Sequence, residues 1–224
     1  MSPLIKTCIE KLIPRKADEL AGVNFWPKNK TVRIHFLGGE EIVKEKVKKY
    51  INMWQSHINL KLTFVDDPNA EIRIAFVMDG TSWSALGTEA LDKIYFPKET
   101  MNFGWLTPET EEKVYSSVVL HEFGHALGCI HEHQNPSANI PWDVDKVYQY
   151  YLDTQNWGKP KVDQNILNKW DHYWSQYSAF DEKSIMLYPI PKELTTNGYE
   201  VGWNTTLSDT DKEFISSIYP KKVE

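Results

Sequence analysis

The sequence predicts an α+β domain, a twisted mixed sheet with helices packed on it, and three observations carry that expectation. Short runs with an apolar residue at every second position alternate, in the first half of the chain, with a segment whose apolar residues recur at helical spacing. The composition, 41% hydrophobic and 25% charged, is that of a globular protein. The length of 224 residues suits one domain with a sizeable core, split into two lobes around a cleft.

Taken in chain order, residues 31–37 (TVRIHFL) alternate Val32, Ile34 and Phe36 with polar partners and close on Gly38 and Gly39, which predicts a strand. Residues 40–58 place Ile42, Val43, Val47, Tyr50, Ile51 and Trp54 on one helical face. Two more strands follow at 60–65 (LKLTFV) and 71–77 (EIRIAFV), separated by the turn DDPNA. The glycine-containing stretches 81–91 and 100–106 are weaker strand candidates. A helix is expected from about Glu109 to Leu127, opened by Thr107-Pro108-Glu109 and stopped by Gly128.

Beyond Cys129 the pattern changes. Residues 136–177 are rich in Trp, Tyr, Asn and Asp with weak periodicity, and short helices are expected near 144–151 and 164–174. SIMLYPIP, residues 184–191, reads as an apolar turn, and LSDTDKEFISSIYP as a closing helix capped by Ser208 and ended by Pro220, with Ile215 and Ile218 inward. The lobe boundary therefore falls at about residue 128.

Composition also excludes. A net charge of −6 with no basic stripe argues against nucleic acid or an anionic membrane as partner. No apolar run approaches the roughly 20 residues that span a bilayer. No signal peptide is visible, because Lys6, Glu10 and Lys11 interrupt the N-terminal apolar positions; secretion by another route, a signal absent from this sequence, and retention where the chain is made all stay open. Two cysteines, Cys8 and Cys129, do not make a disulfide scaffold; a single bridge, two free thiols, or one thiol on a metal are the alternatives.

The segment LHEFGHALGCIHEH, residues 120–133, concentrates polar groups in an otherwise apolar helix. His121 and His125 are four residues apart and share a helical face, the geometry with which two imidazoles grip one metal ion. Glu122 lies about 100° further round, placed to reach a water rather than the metal. Gly128 permits the left-handed turn that ends the helix, and His131 just beyond it can swing back as a third nitrogen ligand. Three imidazoles leave one position open, as in catalytic rather than structural zinc sites. One zinc ion, with Glu122 as general base, is the chemistry of amide hydrolysis.

HEFGHALGCIH resembles the HExxHxxGxxH zinc signature of the metzincin metallopeptidases, and SIMLY, with Met186, resembles their downstream methionine turn. Glu132 after the third histidine, together with Ser184, Met186 and Tyr188, is similar to the astacin branch. The resemblance implies a zincin-like fold: a twisted mixed sheet with two long helices in an upper lobe, and an irregular lower lobe with a C-terminal helix. It implies His121, His125 and His131 as zinc ligands, Glu122 as base, Met186 as an apolar floor, and Tyr188 as an oxyanion donor. SWSALG looks like the edge strand along which a protein or peptide substrate lies, through Trp83, Ser84, Ala85, Leu86 and Gly87. Two departures are Asn135, where astacins usually carry Arg, and Cys129, where Phe is usual. In astacins Glu132 meets the amino group freed by propeptide removal.

The expected organisation is an N-terminal extension or short pro-segment at 1–22 and a single catalytic domain at 23–224, monomeric by default. Cys8 is a candidate latency ligand, since a thiolate binds zinc strongly. The expected function is a zinc-dependent metalloendopeptidase; the rival is a latent or inactive zinc-fold protein acting as a binding module. His133 reads as a solvated or supporting side chain rather than a fourth ligand.

Overall fold

The computed structural model describes residues 24–170 and 178–221. Five strands form one sheet in the order β2-β1-β3-β5-β4, comprising β1 (Thr31–Phe36), β2 (Lys61–Phe64), β3 (Ile72–Ala75), β4 (Ser82–Ser84) and β5 (Met101–Phe103). The first four in that order are parallel, and β4 pairs antiparallel at the edge, with Trp83 opposite Asn102. The sheet is mixed, as the sequence predicts.

Two helices of 15 residues, α1 (Glu41–Gln55) and α2 (Glu112–Ala126), pack together and on the sheet. Val43, Val47, Ile51 and Trp54 of α1 are buried with Val32, Ile34, Ile72 and Ile74 of the strands, which is the face that the helical spacing selects. Ile42, expected on that face, is instead 52% exposed. It points away from the core, whereas Val43 beside it in the same first turn is 3% exposed. Between α1 and α2, Trp54 Nε1 donates to the Leu120 carbonyl at 3.2 Å and the Tyr50 hydroxyl to the Glu112 carboxylate at 2.6 Å.

The lower lobe holds α3 (Val144–Gln155), α4 (Lys159–Val162), a π-helical turn Asp163–Leu167 and α5 (Asp209–Ile218). The second lower-lobe helix begins earlier than expected, because Pro160 falls in the first turn of α4, where its missing N–H is costless. Helix α2 likewise starts at Glu112 rather than Glu109, since Thr107 and Thr110 close a turn through the 2.9 Å bond from the Thr107 amide to the Thr110 hydroxyl. Ser208 caps α5 as read, and the structure adds a capping box: the Ser208 hydroxyl accepts from the Asp211 amide, and the Asp211 carboxylate from the Ser208 amide, both at 2.9 Å. Among the described residues no helix is long and apolar enough to cross a membrane.

Candidate metal centre

Helix α2 is buried on all sides from Tyr115 to Ala126, so every polar group on it must be matched. Its end is a Schellman motif. Gly128, at φ +99°, sends its amide to the His125 carbonyl at 2.8 Å, and Cys129 sends its amide to the Gly124 carbonyl at 2.9 Å. The remaining end carbonyls are taken by side chains, with Trp26 Nε1 donating to Ala126 at 2.7 Å and the Tyr219 hydroxyl to Leu127 at 2.8 Å. A side chain at 128 would run into the Phe25 ring, a second reason for glycine there.

Past that turn the chain doubles back, and one nitrogen each from His121, His125 and His131 lies within 4.8 Å of the others. Each of the two helical histidines is oriented by a backbone carbonyl. His121 Nδ1 donates to Ile185 and His125 Nδ1 to Cys129, both at 2.8 Å, which leaves each Nε2 as the lone-pair nitrogen. Burial pushes the His121 imidazole down to about 4 and holds His125 and His131 well below the usual range, so all three are neutral, the ligating form.

The set fits zinc. Among the described residues His121 Nε2 is buried with no hydrogen-bond partner, and His125 Nε2 stands 3.0 Å from His131 Nε2. That spacing suits a shared cation, since zinc–nitrogen bonds of about 2.0–2.1 Å in tetrahedral geometry put ligand nitrogens roughly 3.3 Å apart. Zinc is the cofactor that this group holds.

The turn carrying Met186 packs on α2 and on the segment of the third histidine. The Leu187 amide closes it onto the Ser184 carbonyl at 3.1 Å, and the Met186 carbonyl accepts from the Glu132 amide at 2.9 Å, tying the turn to the segment of the third histidine. Met186 packs so closely on Gly124 that a Cβ there would stand 2.3 Å from its sulfur. The buried Asp211 carboxylate accepts from the Ser184 hydroxyl at 2.7 Å and the Ile185 amide at 2.8 Å. Asp211 thus holds the backbone of Ile185, the residue whose carbonyl orients His121, a role that the sequence does not show. Asp211→Asn, with a donor where an acceptor is needed, is expected to cost about 2 kcal/mol of stability and to weaken zinc binding about tenfold. Thermal melting and chelator competition check the two effects separately.

The other expected residues are placed as follows. Glu122 is fully buried on α2 between the first two histidines. The Tyr188 ring stacks on the histidines, 4.2 Å from His131 and 5.4 Å from His121 between centroids. Trp83 and Ser84 lie in the edge strand β4, while Ala85 and Leu86 run on from it and Gly87 opens a 3-10 turn. Glu132 accepts from Asn135 Nδ2 at 3.0 Å and the Asp181 amide at 2.9 Å, so the residue standing where astacins carry Arg is one of its partners; burial pushes its carboxyl up to about 7. Cys129 is buried and, among the described residues, has no disulfide partner. Cys8 lies outside the described residues. His133, expected to be solvated or supporting, is 3% exposed and hence not solvated.

A five-stranded mixed sheet, a buried helix ending in a glycine turn and a three-histidine zinc group define the class: a zinc metallopeptidase of metzincin type. The matrixin family model, Peptidase_M10, matches residues 28–155, more than half of the chain, and the chain belongs to that family. Two structures of myroilysin are similar to it. One is 44% identical at a TM-score of 0.86, covering 89% of this chain and 97% of that one; the other is 42% identical at 0.72, covering 96% and 91%. High choriolytic enzyme 1, a hatching enzyme zinc-protease from the medaka Oryzias latipes, is 17% identical at a TM-score of 0.57 over 94% of this chain and 99% of its own, a likeness of fold. The zinc metalloproteinase nas-24 of Caenorhabditis elegans is 24% identical over 86% of this chain, which spans 41% of that protein's length.

Proposed function

We propose that the protein is a metalloendopeptidase that hydrolyses internal peptide bonds of protein substrates, close to the astacin branch in the details of its site. The observation that carries this reading is the convergence of three neutral histidines on a buried helix that also bears Glu122. Bound zinc supplies a Lewis acid that polarises a carbonyl and brings the pKa of water from 15.7 towards roughly 7. Glu122 takes the proton of the attacking water as its oxygen bonds the carbonyl carbon, and returns it to the nitrogen that leaves when the C–N bond breaks. Tyr188 donates to the oxygen on which charge develops, and Met186 is the apolar floor. An extended substrate lies along the free side of β4 and residues 85–87, its backbone supplying the pairing that an edge strand lacks.

Residues 23–224 are then one catalytic domain, and residues 1–22 a pro-segment in which Cys8 is a candidate zinc ligand that holds the enzyme latent. Cleavage of a mixed peptide library by the full chain and by a form trimmed after residue 22, each with and without a zinc chelator, tests the reading. Chelator-sensitive internal cuts are expected from the trimmed form, and a rise on trimming makes 1–22 inhibitory. Silence of both forms, with zinc bound, overturns the endopeptidase reading in favour of a zinc-fold binding module.

A further inference from the structure

His133 is not among the converging ligands, yet it is buried against them. It sits in the 3-10 turn Glu132–Gln134, and its ring stacks on two neighbours: Tyr188 at 5.0 Å between centroids with planes 23° apart, and His131 at 5.2 Å and 24°. Its Nε2 lies 2.8 Å from the Asn165 carbonyl, which can only accept, so Nε2 carries the proton and Nδ1 the lone pair. Among the described residues that Nδ1 is buried with no hydrogen-bond partner. Asn165 belongs to the π-helical turn Asp163–Leu167, a conformation frequent at functional sites. Gln134 clamps the same segment, donating to the Gln164 carbonyl at 2.8 Å and the Asn168 carbonyl at 3.0 Å.

A phenyl ring would fill this slot and stack as well, without the desolvation penalty of a buried, unanswered nitrogen. What phenylalanine lacks is the Nε2–H bond to Asn165, which fixes the ring's rotation and ties it to the lower lobe. We propose that His133 is a positioning residue: anchored on the π-helical turn, it holds the Tyr188 ring at the angle from which its hydroxyl works. This inference rests on the oxyanion role of Tyr188. The site is thereby coupled to a second element of the lower lobe, independent of the Asp211 contact that serves His121.

The test is His133→Phe, which keeps the stack and removes the anchor along with the unsatisfied nitrogen; the part-buried Asn165 carbonyl loses its donor, so the melting temperature is measured beside the spectra to establish that the fold holds. Tyrosines are replaced by 3-fluorotyrosine, and the Tyr188 resonance is assigned by its loss in Tyr188→Phe. Its 19F signal is then read in the zinc-loaded and the zinc-free protein. The resonance is expected to shift or broaden in His133→Phe, kcat to fall about tenfold or more with KM little changed, and the loss of kcat to vanish in the Tyr188→Phe background. An unchanged Tyr188 resonance overturns the proposal, as does a kcat loss that persists in full without the tyrosine hydroxyl. A changed resonance with unchanged kcat supports the positioning role and overturns the oxyanion role of Tyr188 instead.

Discussion

Replacing Glu122 with glutamine is expected to lower the rate of peptide hydrolysis by about 10²–10⁴-fold while leaving zinc content unchanged. The substitution keeps the shape of a side chain that is fully buried on α2, so the helix and the three histidines are undisturbed. What is lost is the basic carboxylate, and with it the proton's route from water to leaving nitrogen. Steady-state hydrolysis of a peptide, run beside metal analysis of the same sample, separates the two effects. A variant that holds its zinc and keeps full activity would remove Glu122 from the mechanism; one that loses its zinc would show that the residue supports the metal site instead.

The largest effect on stability is expected at Arg73, where Arg73→Met costs about 4 kcal/mol, or roughly 10 °C in melting temperature for a domain of this size. Arg73 lies on the inner strand β3 at 2% exposure, and its guanidinium is spent on backbone carbonyls: Ala70 at 2.9 Å, Phe96 at 2.8 Å, and Lys98. Its own amide donates to the Thr100 hydroxyl at 2.8 Å. Methionine fills the volume but leaves buried acceptors unanswered, and the segment 96–100 that leads into β5 loses its anchor. Because β5 carries the edge strand β4, KM for a peptide should rise as the protein weakens. Calorimetry and steady-state kinetics read the two effects. Arg73→Lys is expected to recover only part of the loss, since one ammonium cannot reach three carbonyls fixed by a planar fork.

Arg73 also marks a limit of reading from sequence. In EIRIAFV it occupies the polar place of an alternating strand and looks solvent-facing, but β3 lies between β1 and β5 and is covered on both faces, so all four of its residues are buried. Nothing local distinguishes the two cases. Similarly, β4 and β5 are three residues each, too short for a period of two to declare itself, and the order that places β5 between β3 and β4 is a matter of which edges find partners. In the lower lobe the helix expected at 164–174 overlaps the π-helical turn Asp163–Leu167, which continues from α4 with Pro160 in its first turn, while 171–174 lie outside the described residues.

By itself the sequence determined the elements whose signals are local: strands β1 to β3 from alternation, α1 from helical spacing, α5 from its cap, and the end of α2 from Gly128. It determined the metal chemistry too, since four-residue spacing and a left-handed glycine dictate which imidazoles can meet. Only the tertiary structure decided what surrounds them. The carbonyls of Ile185 and Cys129 that orient two of the histidines, the Asp211 carboxylate that holds the Ile185 amide, the Asp181 amide on Glu132, and the anchor of His133 on Asn165 are all contacts to backbone or across the chain. Their geometry depends on how two lobes close on each other, and residue identity at any one position does not encode it.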